Sequence, residues 1–423
     1  MPVDFGVADL WLPAGALAAI GIPLVFLMTR SLLVSLVVVG LKTAVFLVYW
    51  LTVDFIPSSD DLFYFLTSVR FDTIDWAVFL RDPSGFYGSA HWGYPLLNWV
   101  VTRAFGYQIF TTIAVNIAIT YVGGILLFRT LLLYGLPRNL ALFAVVFYLI
   151  SPDVLVWSSF YNFKDTVVQF LTILYIYLVS KTVLGRPNLL VFLALLVPIG
   201  ILTTIRIYVS VLMIIHFVSL QFLTSSPSKH RIASTVLIAT IFVYAMTLYL
   251  RTGLPVPPLD ELRSIDAISF GIGKITLTPV PWQTSGNKAG QLFFPGWLHW
   301  TFLPFAVYGL IISWLKYRGA MIMVTYVIGL FVLLAVFTDL LGPRHRFQVG
   351  FVFTVFEAIG IYYLLLKPVN RSQSWASTKV AGPWPREEVG QESARAIDIE
   401  VRPHTGLRSG SGRTANESTT AGD

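Results

Sequence analysis

The feature that most constrains this chain is a succession of apolar runs, each of roughly twenty residues, the length that crosses a bilayer core as an α-helix. They stand near 10–28, 32–56, 109–133, 139–157, 166–182, 189–205, 207–223, 232–250, 298–315, 320–338 and 347–366. A backbone in lipid must satisfy its own hydrogen bonds, so the runs predict an all-α membrane protein, a polytopic helical bundle of about eleven transmembrane helices. Only 12% of the 423 residues are charged, where a soluble domain carries about 25%. The chain has no Cys, which excludes disulfides, thiolate nucleophiles and cysteine metal sites. Met1 to Trp11 has no basic n-region and carries Asp4 and Asp9, so no cleavable signal peptide is expected.

Basic residues alternate with the runs. Arg30, Arg129 with Arg138, Lys181 with Arg186, Lys229 with Arg231, Lys316 with Arg318, and Lys367 with Arg371 all fall on one side of such a bundle. Loops rich in Lys and Arg face the cytoplasm, so the N-terminus is expected outside and the C-terminus inside. The net charge of +7 reflects these loops, and no nucleic-acid partner is expected. Within 189–223 only Arg206 interrupts the apolar run, which leaves one broken helix or two. Residues 1–367 thus read as the transmembrane domain, with long outer loops at 57–108 and 251–297. Residues 61–81 of the first suit helices lying in the membrane interface. The stretch 368–423 is rich in Ser, Gly, Arg and Glu without an aliphatic pattern, and is expected to be a disordered cytoplasmic tail. No P-loop, GxGxxG or HExxH occurs, which disfavours an ATP-driven pump or a zinc protease.

Ionisable groups at membrane depth are costly and usually have a purpose. Here they gather on the predicted outer side: Asp60 and Asp61 in IPSSDDLFYF, His91 in SAHWGYP, Lys164 and Asp165 in YNFKD, Arg206 in TTIRIYVS, and Arg344, His345 and Arg346 in DLLGPRHRF. Each has a plain reading. Asp60 or Asp61 would cap a helix starting nearby, Arg206 would snorkel, Lys164 and Asp165 would pair at the interface, and His91 would pack there. Asp72, Asp75 and Asp82 read as a solvated face. The functional reading joins carboxylates to fixed cations. A carboxylate can act as general base on a sugar hydroxyl, helped by a neighbour that raises its pKa. Arg and Lys hold a phosphate leaving group, Arg bidentately. Together these fit glycosyl transfer from a lipid-linked phosphate donor.

The order of features resembles the GT-C superfamily of polytopic glycosyltransferases, especially bacterial members related to protein O-mannosyltransferases and exopolysaccharide enzymes. The likeness covers roughly residues 45 to 367. It is carried by the acidic pair after an early span, by HWGYPLLNWVVTRAFG, by SPDVLVWSSFYNFKDTVVQFL, by TPVPWQTSGNKAGQLFFPGWLHWTFLPFAVYGL and by RHRFQVGFVFTVFEAIG. The resemblance implies a membrane glycosyltransferase using a polyprenyl-phosphate-linked sugar donor at the outer face, with a glycan or lipid-linked acceptor. Asp60 or Asp61 would be the base. Arg206, Arg344 and Arg346 would hold phosphate, with Lys164, Asp165, His91 and His345 lining the same site. Some relatives use a divalent metal near the acidic residue, and no metal ligand is assigned here. Two other activities would use such a chain: a polymerase or ligase of undecaprenyl-diphosphate-linked repeat units, and a transporter or flippase of lipid-linked sugars. A scaffold without activity is the third rival.

Overall fold

Apolar side chains leave a backbone in lipid no partner but itself, and the chain answers with helices throughout. The computed structural model describes residues 7–52, 59–83, 91–185, 189–223, 265–278, 289–337 and 343–366, and no strand occurs among them. In chain order the helices are α1 (Trp11–Thr29), α2 (Leu32–Thr52), α3 (Ser59–Ser68), α4 (Trp76–Arg81), α5 (Gly93–Phe105), α6 (Ile109–Leu133), α7 (Arg138–Ile150) and α8 (Pro152–Ser159). There follow α9 (Lys164–Leu184), α10 (Leu189–Ile205), α11 (Ile207–Leu223), α12 (Ile265–Leu277), α13 (Ala289–Lys316), α14 (Met321–Phe337), α15 (Pro343–Phe347) and α16 (Gly350–Ile361). Contacts divide the chain at 369, and residues 370–423 form a separate unit. That unit, with the expected span 232–250 and most of the second expected outer loop, lies outside the described residues.

Six helical stretches are long and apolar enough to cross a membrane: Trp11–Thr29, Leu32–Thr52, Ile109–Leu133, Lys164–Leu184, Gly296–Lys316 and Arg318–Ala335. The chain is therefore a multi-pass helical membrane protein with about six such spans among the described residues. A seventh is the pair α7 and α8, which covers the expected run 139–157 and bends by 46°. The bend has a local cause. Pro152 pushes Ser151 into extended backbone (φ −60°, ψ 140°), and the Ser151 hydroxyl accepts from the Val154 amide to start α8. The expected spans 189–205, 207–223 and 347–366 correspond to shorter apolar helices. Residues 189–223 form two helices, parted at Arg206.

The two ends of the bundle carry different contacts. At one end the Tyr134 hydroxyl meets Ser180 at 2.7 Å, and the Tyr317 and Tyr363 hydroxyls meet at 2.6 Å. At the other, the Trp50 indole donates to the Ser159 carbonyl at 3.0 Å, joining the end of α2 to that of α8. This second end gathers the loops that hold the charged residues described below.

Helices in lipid gain little from apolar burial against one another, so close packing of small residues matters. Helices α13 and α16 approach until their backbones touch. A Cβ added at Gly309 would stand 1.9 Å from the Phe356 carbonyl oxygen, and one at Gly360 would stand 2.0 Å from that of Phe305. No side chain can yield there, because the obstacle is main chain. Gly309→Val and Gly360→Val are each expected to lower stability by about 1–3 kcal/mol, the usual cost of overpacking. Thermal unfolding of the purified protein in detergent checks this, with Gly40→Ala, at a position open on all sides, left near wild type.

Candidate functional site

The site grows from the start of α9. Asp165 is wholly buried, and in the first helical turn its charge suits the positive end of the helix dipole. Its Oδ1 accepts from the Arg206 guanidinium, at the break between α10 and α11. Its Oδ2 accepts from Arg344 Nε on α15 at 2.6 Å. One carboxylate thus receives two arginines from distant parts of the chain. Burying it without them would cost several kcal/mol.

Each arginine is placed by further contacts. Arg206 also donates to the Tyr208 hydroxyl, which accepts from Gln348 Nε2 at 3.3 Å. The Arg206 Nε donates to nothing among the described residues, although the residue is only 4% exposed. Arg344 lies over the Phe163 ring at 4.2 Å, and Phe163 stacks on Tyr161 at 4.7 Å. Lys164 is buried with its ammonium 5.4 Å from the centre of the Tyr64 ring on α3. Tyr64 packs edge-on against Tyr94, whose hydroxyl donates to Asn162 Oδ1 at 2.7 Å and accepts from Asn116 Nδ2 at 3.1 Å. Among the described residues, then, three cations and one carboxylate meet at this end of the bundle.

Two histidines complete the ring of groups. Gly93 opens α5 directly against α10, where an added Cβ would stand 2.0 Å from Thr204 Oγ1. That contact brings His91 to the Ile205 backbone and within electrostatic reach of Lys164 and Arg206. Burial first, then those two cations, hold the His91 imidazole down at about 4. His345 is 8% exposed and faces Arg206, Asp165, Arg344 and Lys164. Burial, then Arg206, holds it down at about 4, against a smaller raising effect of Asp165.

Arg346 turns elsewhere. It is 1% exposed, it donates to the Thr278 carbonyl at the end of α12, and its Nη2 lies 3.2 Å from Asp153 Oδ2 on α8. Glu357 on α16 lies within electrostatic reach of the same pair. Phe347, the last residue of α15, offers its carbonyl to Gln169 Nε2 at 2.6 Å, and the Tyr148 hydroxyl holds Gln169 from the other side at 2.9 Å. The five residues of α15 are thus fastened at Arg344, Arg346 and Phe347, which fixes His345 between them.

Lys164, Asp165, Arg206, Arg344, His345 and His91 therefore come together, and Arg346 anchors the helix that delivers two of them. Asp60 and Asp61 begin α3, one turn before Tyr64, so the backbone sets them on the helix that covers Lys164. Only their backbone is described. The aspartates expected on a solvated face have local tasks. Asp75 caps α4 by accepting from Ala77 N at 2.9 Å, and Asp72 accepts from Trp99 Nε1 at 2.6 Å and Arg103 Nε at 2.9 Å. The Trp99 bond first, with Arg103, holds Asp72 below the usual carboxylate range in spite of partial desolvation. Sequence reasoning passed over Asp153, Tyr208 and Gln348. Asp153 stands in the SPD start of α8, and Tyr208 and Gln348 each stand two residues beyond a charged residue already singled out. Among the described residues no three His, Asp or Glu side chains group to hold a metal ion.

Two outcomes follow from this geometry. Asp165→Asn strips the charge that pairs two guanidinium groups and is expected to cost about 3–5 kcal/mol, read as a lowered unfolding temperature in detergent. Both histidines titrate in the fold at about 4, below their ordinary 6.5. As pH falls the unfolded chain binds protons first, so stability is full above about pH 6.5 and is lost towards pH 4. His91→Gln with His345→Gln is expected to flatten that loss, measured as unfolding temperature against pH. Comparison of the chain with protein-family models, curated proteins and solved structures finds no match.

Proposed function

We propose that this protein is a membrane glycosyltransferase of the GT-C kind, moving a sugar from a polyprenyl-phosphate-linked donor onto a glycan or lipid-linked acceptor. The observation that carries the reading is the meeting of Lys164, Arg206 and Arg344 around Asp165 beneath the helix that starts with Asp60 and Asp61. Such a group of cations suits an anionic leaving phosphate, and guanidinium groups match phosphate oxygens in pairs. Arg344, whose side chain is 25% exposed, offers the approach. An acidic residue at position 60 or 61 takes the proton of the attacking hydroxyl. The bond broken joins the sugar to the phosphate oxygen, the bond formed joins it to the acceptor oxygen, and the lipid phosphate leaves on the cations. The resemblance to the superfamily in the order of its motifs points the same way, and a divalent metal beside the acidic residue, as some relatives use, is compatible with it.

In this reading the bundle has about eleven spans, the loops 57–108 and 251–297 lie outside, the tail is cytoplasmic, and the membrane is the inner membrane of a bacterium building a surface polysaccharide. The support is the segregation of bundle ends. Segments expected outside meet around Asp165, and segments expected inside meet around Tyr134, Ser180, Tyr317 and Tyr363.

Purified protein in lipid, given a panel of polyprenyl-phosphate sugars and membrane extract, tests the proposal. Wild type is expected to transfer sugar, and Asp60→Asn or Asp61→Asn to reduce it by at least about a hundredfold, the usual weight of a general base. Arg344→Gln is expected to raise KM for the donor. Transfer that survives both aspartate changes would move the chemistry to the arginines and favour a polymerase or ligase of diphosphate-linked units. Absence of transfer from every donor would overturn the enzyme reading.

A further inference from the structure

His345 is buried at the centre of this cluster, and its Nδ1 has no partner among the described residues. It is held in a helix fastened on both sides and is more than nine-tenths buried. Among the described residues the charged groups facing it are Lys164 and Asp165 from α9, Arg206 from the α10–α11 break, and Arg344 from its own helix. Arg206 Nε, also buried and without an acceptor among the described residues, belongs to the same group. Two buried polar atoms on different elements, within electrostatic reach of one another, thus make no hydrogen bond among the described residues.

We infer that His345 completes an oxyanion site by taking up a proton when a phosphate diester binds among Lys164, Arg206 and Arg344, and by releasing it when the anion leaves. The inference rests on the reading of this cluster as an anion site and names a further residue in it. The physics is a change of field. Among the described residues the cations outnumber the carboxylate facing the ring, and a further positive charge there is opposed. Burial first, and then that opposition, keeps the imidazole neutral at ordinary pH. An anion seated among the cations cancels their field at the ring and gives Nδ1 an acceptor for a charged hydrogen bond. The site then holds one more positive charge just when the reaction loads negative charge onto the phosphate. Apart from the N–H bond that this proton makes with the ring, no covalent bond to His345 forms or breaks. One proton enters from solvent with the anion and departs with it.

The test uses the full chain in lipid nanodiscs and two probes whose charge does not change with pH, dimethyl phosphate and farnesyl methyl phosphate. If one proton is taken up, affinity rises as pH falls from 7 to 5, approaching about tenfold per pH unit at full coupling. His345→Gln is expected to abolish this slope. His345→Lys carries a fixed charge, so it is expected to abolish the slope while keeping tight binding at pH 7, which separates lost coupling from a damaged fold. The farnesyl diester is expected to bind at least about tenfold tighter than dimethyl phosphate, since burial of its apolar chain adds to affinity. Affinity independent of pH in the wild type, or a slope unchanged in His345→Gln, overturns the inference and leaves the anion site standing. Equal affinity for the two diesters overturns the lipid as source of the phosphate. No binding of either diester overturns the anion site itself, and the proton coupling with it.

Discussion

One buried carboxylate organises the end of this bundle. Asp165 has no exposure, and it faces Arg206, 41 residues on, and Arg344, 179 residues on. In a low-dielectric setting a lone carboxylate or a lone guanidinium would each cost several kcal/mol, while in the bridged trio each charge faces an opposite one. The arrangement therefore fixes more than itself. It holds the break between α10 and α11 against the start of α9, and it draws in the short helix α15. Once α15 is there, Arg346 reaches Asp153 and Gln169 reaches the Phe347 carbonyl. These contacts, with that of Arg346 to the Thr278 carbonyl, tie α8, α9, α12 and α15 together.

The chemistry follows from the same constraint. Arginines held rigidly by a carboxylate lose little freedom on meeting an anion, so the ordering cost of binding is met in folding. Neutral histidines beside them keep the unliganded site from carrying more charge than the fold tolerates. The aromatic layer of Tyr64, Tyr94, Tyr161 and Phe163 supplies ring faces to the cations and excludes water from their stems.

Much of the helical layout is legible in the chain, for a physical reason. Long uninterrupted apolar runs such as 109–133 leave one structure open in lipid, and α6 occupies that run residue for residue. The run 139–157, expected as one span, is instead bent at the Ser-Pro step 151–152. The seventeen-residue helices α10 and α11 lie at the limit of that logic. Their composition is that of spans, but whether they part at Arg206 or run on depends on Asp165, which the local sequence does not contain. The site divides in the same way. Rarity of charge in an apolar chain marked Lys164, Asp165, Arg206, Arg344 and His345, because such residues are costly there. Arg346 was marked by the same rarity, yet it serves α15 as an anchor on Asp153.

By itself, then, the sequence determined that this is a helical membrane protein, where many of its helices run, and which charged side chains lie where lipid penalises them. Those properties depend on neighbours within about one helix length, through hydrophobicity and backbone hydrogen bonding. Only the tertiary structure decided that Asp165 is shared by two arginines, that Gly93 seats His91 beside Arg206, and that His345 is locked between two anchored arginines. Those facts depend on contacts across 41 to 193 residues, where charge finds charge through the fold and no local pattern records the match.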